Sequence, residues 1–426
     1  MKAVRALTGS RIAWLSFILA GFAIAANACG SSDDASSPGG NDGGASDGSL
    51  GDGAVTTDSG SGDGGACARV ADPTDDHVRT VLISHPFDAS GNAASLFEAL
   101  SLGTDGTLTR PTPNVTFSMG PASTSNIVFT PDGKVALVAQ DDGTIGVVRF
   151  DASGPVVVHA AFKGPFYAGS IAVDPTGAHA YVLDADTSNN GGGVYQVDIA
   201  CDGSLTSKGL VVPGGTANQM AFVPSTSRAV LAAGGAFDAP DGSDTDLIDF
   251  SGSTPSLVAS GFGFVDGGAI VSSITVMPDG KFALAADNGI IVGNRLAAIA
   301  LPSMENAGIL ATANPAALVA SPFDNAVLLL NSDTADAIRI ISYTPDASAP
   351  FSIVGEIAYV NPKPQLPSFA SLVARGTLKG RVLVAENTAV RQVAFEPDAG
   401  IVDVAYLNFD TDGGLDQIVG VIGVAP

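Results

Sequence analysis

A polar residue recurs at one place in successive stretches of this chain. The set is His85, then Asp141 and Asp142, Asp184 and Asp186, Asp287 and Asn288, Asn331 and Asp333, and Glu386 and Asn387. Each follows a short apolar run. Gathered on one face, these oxygens and the imidazole could bind a carbohydrate, a small molecule or a protein partner, or hold a hard cation such as Ca2+. Asp and Asn also terminate strands and build turns, and this second reading competes with a shared site. The remaining histidines stand apart: His77 lies near the start of the apolar pattern, His159 falls on an expected outer strand, and His179 follows a turn on the opposite side. From residue 67 onward no His-x-x-x-His or Cys-x-x-Cys pair and no Gly-x-Ser-x-Gly elbow occurs, so no compact metal or nucleophile motif carries the chemistry there.

Short strands must position these residues. From about residue 78 onward, apolar runs alternate with turn residues, and no long stretch keeps the 3.6-residue helical period. A repeat organises the runs: Ile127-Val-Phe-Thr-Pro-Asp-Gly-Lys-Val135, then segments around Pro175, Pro224, Pro278 and Pro322. The five prolines are separated by 44, 49, 54 and 44 residues. Proline fixes φ at the first turn corner, and Asp-Gly suits the remainder of a tight hairpin. A degenerate copy runs from Phe369 into Val382–Ala385, and a second pair of strands completes each unit. Four strands in roughly 40–50 residues is the pattern of a β-propeller blade. The unit near Val81–Ser84 lacks an innermost strand, and Asp416–Ile422 is a spare one. Pairing the two leaves no open edge. The expected fold is therefore all-β: a seven-bladed propeller with four antiparallel strands per blade, closed by a C-terminal strand, over residues 67–426.

Phe129-Thr-Pro-Asp-Gly-Lys-Val-Ala-Leu-Val-Ala-Gln-Asp-Asp-Gly-Thr-Ile-Gly-Val-Val-Arg-Phe-Asp151 resembles the repeat of YVTN-type propellers, also called lactonase or 6-phosphogluconolactonase-like propellers, and Ala180–Asp186 is a second match. The only tryptophan, Trp14, precedes the repeats, which separates the chain from WD40 and tryptophan-docked propellers. The resemblance implies a hydrolase of sugar lactones or similar esters. Lactone opening needs a general base and groups that bind the developing oxyanion. His85 and Glu386 are then the candidate catalytic residues, with Arg295 or Arg391 nearby in the repeat. A Ca2+-dependent variant would draw oxygens from Asp184 and Asp186. Against these stands a non-catalytic binding propeller, which the lack of a compact catalytic set favours.

The N-terminus supplies the address. Lys2, Arg5 and Arg11 precede an uncharged run, Ile12–Ala26, and Ala26-Asn27-Ala28 then offers small residues before Cys29. This is the form of a signal peptide over 1–28, and the segment resembles a bacterial lipobox, with Cys29 as the lipidated residue. Cleavage by a general signal peptidase is the alternative. Residues 29–66 are Gly, Ser, Asp and Ala with almost no large apolar side chain, the composition of a disordered linker. The expected location is the outer membrane or cell surface, or the periplasm, with the membrane reached only through the lipid and the protein a monomer. Without residues 1–28 the chain has 16 basic residues against 43 acidic ones, a formal charge of −27, which excludes nucleic acid as a partner. Cys67 and Cys201 remain as two thiols in an oxidising compartment, to be joined as a disulfide or left free and buried. Mass spectrometry of the mature N-terminal peptide checks the anchor: a lipidated Cys29 is expected, and an unmodified Cys29 or cleavage elsewhere rejects it.

Overall fold

A computed structural model of the chain describes residues 66–69, 76–120, 124–186, 191–234, 245–261, 271–287, 294–332, 337–397, 400–410 and 414–426. The signal segment, Cys29, the linker as far as Gly65, Asn288 and Asp333 lie outside the described residues. The strands form seven antiparallel sheets. Six are consecutive four-stranded meanders, beginning with Thr124–Phe129, Val135–Gln140, Ile145–Asp151 and Gly154–Phe162. The remaining sheet, counted as the first blade, joins the two ends of the chain, and the six meanders are the second to seventh blades. This is the all-β, seven-bladed propeller that the repeats imply.

Burial explains the two textures of the sequence. Second strands such as Val135–Gln140 and Ala326–Asn331 are buried at every position, because a neighbouring blade covers each face of the sheet. They therefore read as unbroken apolar runs. Outer strands such as Phe351–Glu356 and Leu205–Pro213 alternate between covered and open positions, the period of two set by the pleat. Buried clusters lie between blades, as where Leu137 and Val147 meet Ile171 and Val182.

The hairpin between the first two strands behaves as its sequence suggests. In the second blade Gly133 N donates to Thr130 O at 2.8 Å, and Asp132 accepts from Lys134 N at 3.1 Å. Gly133 has φ +68°, and a Cβ there would sit 3.1 Å from that of Ala425. Both the turn and the approach of the C-terminus need glycine at this position.

Ring closure differs from the expectation in its bounds. The closing strand is Ile422–Val424, innermost in the sheet with Arg79–Phe87 and Ala93–Leu102, and it pairs Ile422 with Ile83 and Val424 with Val81. Leu415–Gln417 is instead a 3-10 turn. The reason is competition for backbone groups: Ile418 O meets His85 and Val419 N donates to Asn387 O, so the chain joins the ladder only from Gly420, whose N–H donates to Ser84 O at 2.8 Å. The outer strand of this blade is split into Leu108–Thr109 and Val115–Ser118, both paired with Ala93–Leu102. Pro111 and Pro113 fall in the gap and have no N–H to offer a ladder.

Cys67 and Cys201 form a disulfide, with Cα atoms 5.1 Å apart. Cys67 N donates to Ile199 O at 2.9 Å and Arg69 N to Thr176 O at 2.6 Å. The buried Arg69 guanidinium bonds Ala200 O at 2.6 Å, Cys201 O at 3.2 Å and the Asp132 carboxylate at 3.2 Å. Seven residues on, Asp76 accepts from Thr377 N at 3.2 Å. The chain thus touches the second, third and seventh blades before its first strand begins.

The closing strand predicts a large effect from a small cut. Val421, Ile422, Val424 and Ala425 are all buried, and each aliphatic side chain of this kind is worth roughly 1.5–3 kcal/mol of burial. Deleting residues 420–426 is expected to lower the unfolding free energy by about 5 kcal/mol or more, read from urea denaturation. An unchanged midpoint would reject closure through this strand.

Candidate functional site

Five of the recurring polar residues take corresponding places in the fold, on strands and not in loops, without meeting one another. His85, Asp184, Asp287, Asn331 and Glu386 belong to the second strands of their blades and are at most 2% exposed. They occupy corresponding places near the end where the second strand turns toward the third. Sequence reasoning misses one member, Gln140, and selects its exposed neighbours Asp141 and Asp142 instead. A count could have found it: Gln140, Asp184, Asp287 and Asn331 each stand nine residues after the turn proline of their blade. Ala233 holds that place in the fourth blade.

Most of these side chains catch the connection arriving from the previous blade. Gln140 Nε2 donates to Met119 O at 2.8 Å, while its Oε1 accepts from the Thr144 hydroxyl at 2.7 Å. Asp184 accepts from Tyr167 N at 3.0 Å and from Asp186 N at 2.8 Å. Asn331 Oδ1 accepts from the Thr312 hydroxyl at 3.4 Å, and Glu386 Oε2 from Gln365 N at 3.4 Å. His85 Nδ1 lies 3.1 Å from Ile418 O. Asp287 instead pairs with Arg295 of the next strand at 3.0 Å. Buried polar groups need partners, and here the partner is the backbone that must be fixed in place.

Two blades extend the device into charge networks. Behind His85, Glu98 Oε2 is 3.2 Å from Nε2, and Arg110 bonds the same carboxylate at 2.5 and 2.9 Å. Burial pushes the Glu98 carboxyl upward, but the bonds from His85 and Arg110 outweigh it and hold the group below its ordinary 4.5. In the seventh blade Arg391, fully buried, donates to Glu386, to Asp403 at 2.8 Å and to Pro362 O. Its guanidinium lies over the rings of Tyr359 and Tyr406 at 5.4 and 5.2 Å. Asp403 also accepts from Val360 N and Asn361 N at 3.0 and 2.9 Å. Burial leads here as well and raises the Glu386 carboxyl above its usual range despite Arg391. The sequence places Arg391 near Glu386, but Asp403 and the Glu98–Arg110 pair do not show there, because other blade residues separate them from their partners.

The other expected face residues are turn residues in the described geometry. Asp142 accepts from Thr144 N and its hydroxyl at 2.9 and 2.6 Å, and Asp141 O accepts from the Tyr167 hydroxyl. Burial, then the charges of Asp141, Asp142, Asp186 and Asp184, pushes the Tyr167 hydroxyl up. Asn387 is half-buried, its N–H donates to Gln365 O at 3.0 Å, and its side-chain Oδ1 has no partner among the described residues. Among the described residues, no group of three His, Cys, Asp or Glu side chains is placed to hold a metal. His85, Asp184 and Glu386 each serve a different blade and have separate hydrogen-bonding partners.

The central channel is the other concavity. Its mouth at the proline-turn end holds a cavity of about 740 Å³. All seven blades contribute, with Ile127, Phe129, Val173, Leu318, Leu372 and Val424 among the walls. Polar side chains on the innermost strands stitch blade to blade: Asn126 exchanges two bonds with Ile171 at 2.8 and 3.2 Å, Thr275 Oγ1 accepts from Ala320 N at 3.3 Å, and Ser371 Oγ from Val424 N at 3.0 Å.

No model of a known protein family matches the chain, and neither does any curated protein. Solved structures do. A protein of Bacteroides uniformis described provisionally as a 6-phosphogluconolactonase superposes with a TM-score of 0.58 at 13% identity, over 82% of this chain and 99% of that one. The periplasmic gluconolactonase of Pseudomonas aeruginosa gives 0.57 at 15% identity, over 82% and 99%. A Lactobacillus plantarum protein gives 0.57 at 14%, over 82% and 100%. The chain thus shares the fold of 6-phosphogluconolactonase-like seven-bladed propellers.

The Glu98 network yields a pH test. A carboxyl with a lowered folded pKa stabilises fully above its ordinary value and loses that contribution as pH falls through the folded one. E98Q is expected to cost about 3–5 kcal/mol near pH 7, as for a broken buried pair. The gap to the wild type should shrink as pH drops below 4.5. Denaturant titrations showing the same gap at acid and neutral pH would reject this role.

Proposed function

We propose that this chain is an exported cell-envelope protein whose propeller binds its partner without chemical turnover. The observation that carries the reading is the engagement of the candidate bases. Both His85 ring nitrogens lie within hydrogen-bond distance of protein acceptors, Ile418 O and Glu98, and the ring is buried, so neither nitrogen is open to a substrate. Glu386 is committed to Arg391 and Gln365 N and is buried. General-base catalysis needs a group within reach of a substrate proton, and these two serve separate blades. Export and lipidation at Cys29 rest on the N-terminal pattern, and the acidic loop face with Asp141 and Asp142 is the surface turned to a protein, carbohydrate or small-molecule partner.

A second reading, lactone hydrolysis, is favoured by the names of two fold neighbours, one a gluconolactonase and one provisionally a 6-phosphogluconolactonase. Identity of 13–15% supports shared architecture, and function on a common fold resides in the site. A pH-stat assay with glucono-δ-lactone separates the two. The binding reading expects hydrolysis at the rate of buffer alone for the wild type and for E386Q. Turnover above buffer that E386Q abolishes would overturn it in favour of the hydrolase.

A further inference from the structure

Each of the seven sheets ends in an outer strand. The far side of such a strand presents backbone N–H and C=O groups that can accept a strand from another chain. In this protein the outer strands are all interrupted at one place. The third-strand residue paired with the first residue of the second strand is Arg149, Asp198, Asp249, Ala300, Ser342 and Ala394 in the second to seventh blades. Between the residues one and two before it, the ladder to the outer strand skips a single outer residue in every case. The skipped residues are Val158, Lys208, Val258, Ala307, Val354 and Val404. In the first blade Leu102 holds the reference place. There the break, opposite Leu100, widens to residues 110–114, between Thr109 and Val115.

Each skipped residue is a β-bulge, which bends the strand and strengthens its local twist. Three blades write the bulge into the sequence as a glycine directly after the skipped residue: Gly209, Gly308 and Gly355. Gly209 has φ +97° and Gly308 φ +143°, and a Cβ on either would meet nothing within 4 Å. Backbone conformation, not lack of space, calls for glycine at these two positions. Asn306 Oδ1 holds the fifth-blade bulge by accepting from Gly308 N at 2.8 Å.

The breaks set how long a regular edge can be. Among the described residues the longest uninterrupted outer runs have four residues, as at 154–157, 308–311, 400–403 and 405–408. Strand assembly between chains draws on segments of about six residues or more. The outer strands also carry the exposed aliphatic side chains Val258, Ile309, Val354, Val402 and Val404, which would favour such assembly on a straight edge. We infer that the sevenfold break is a guard on the rim of the ring: it keeps outer strands from pairing with those of a second copy, so the propeller stays single where a straight edge would associate. The guard is independent of what the loop face binds.

Sedimentation velocity of the full chain over a range of concentrations tests it. Deleting Val404 joins 400–403 to 405–408 as one regular edge, and deleting Ala307 joins 305–306 to 308–311. The wild type is expected to sediment as a single species throughout. Each deletion should self-associate, with the mean mass about doubling where the wild type is still single. Val402 is exposed on the same outer strand as Val404, and Val402→Lys added to the Val404 deletion should restore the single species, because a charge on an edge opposes pairing. Association through unfolded chains would not respond to that lysine. Deletion variants that keep the wild-type circular dichroism and remain single would overturn the proposal, as would association that Val402→Lys leaves unchanged or self-association of the wild type. Failure of both deletions to fold would overturn it too, since the break would then be a requirement of the blade and not a guard on its edge.

Discussion

A propeller blade contributes little by itself, because both faces of its sheet must be covered by neighbours and the chain must enter each blade at a fixed place. In this protein the entry point is held by a buried polar side chain near the end of the second strand. Gln140, Asp184, Asn331, Glu386 and His85 differ in chemistry yet take the same kind of partner, a backbone or hydroxyl group of the arriving connection. The cost of leaving such a group unpaired exceeds the gain from an average hydrogen bond. The arrangement therefore penalises any misplacement of the connection and, through it, of the next innermost strand. The stitches from Asn126, Thr275 and Ser371 then hold those strands to one another around the channel.

Much of this was legible. The turn prolines and the unbroken apolar second strands reveal the blade count, because both follow from local chemistry that repeats. The closing strand was assigned to the correct blade but placed too early. Its boundary depends on Ile418 and Val419 being claimed by His85 and Asn387, contacts distant in sequence that no local pattern encodes. The ring of polar residues was seen as a face of loops, whereas its members are strand residues. A one-residue shift separates Gln140 from Asp141, and burial separates a latch from an exposed turn. Arg391 stands close to Glu386 in the sequence, whereas Glu98, Arg110 and Asp403 lie on segments that do not resemble one another, so nothing marked those three as partners.

The two ends of the channel are chemically unlike. At the latch end, acids and amides are committed to the fold, and the carboxylates that remain exposed sit in turns such as Asp142. At the proline-turn end, the Thr275 and Ser371 hydroxyls accept amides of the next blade, and the lining residues are mostly aliphatic types and prolines. The same seven-bladed frame in proteins of 13–15% identity shows how little of the sequence the architecture requires. Most positions outside the turns, latches and interblade cores are free to vary with function.

The bridge between Cys67 and Cys201 has a mechanical consequence. Tension applied to the chain ahead of Cys67 reaches the ring at the covalent bond to Cys201 and at the Arg69 contacts with Thr176, Ala200 and Asp132. The load enters the third blade and its border with the second. It bypasses Arg79–Phe87, which is joined to the three-residue closing strand Ile422–Val424 by hydrogen bonds and apolar packing, with no covalent link. Without the bridge, the same pull would peel the ring open at its weakest seam. With it, the seam is shielded, and the protein can be dragged by its N-terminus while its propeller stays shut.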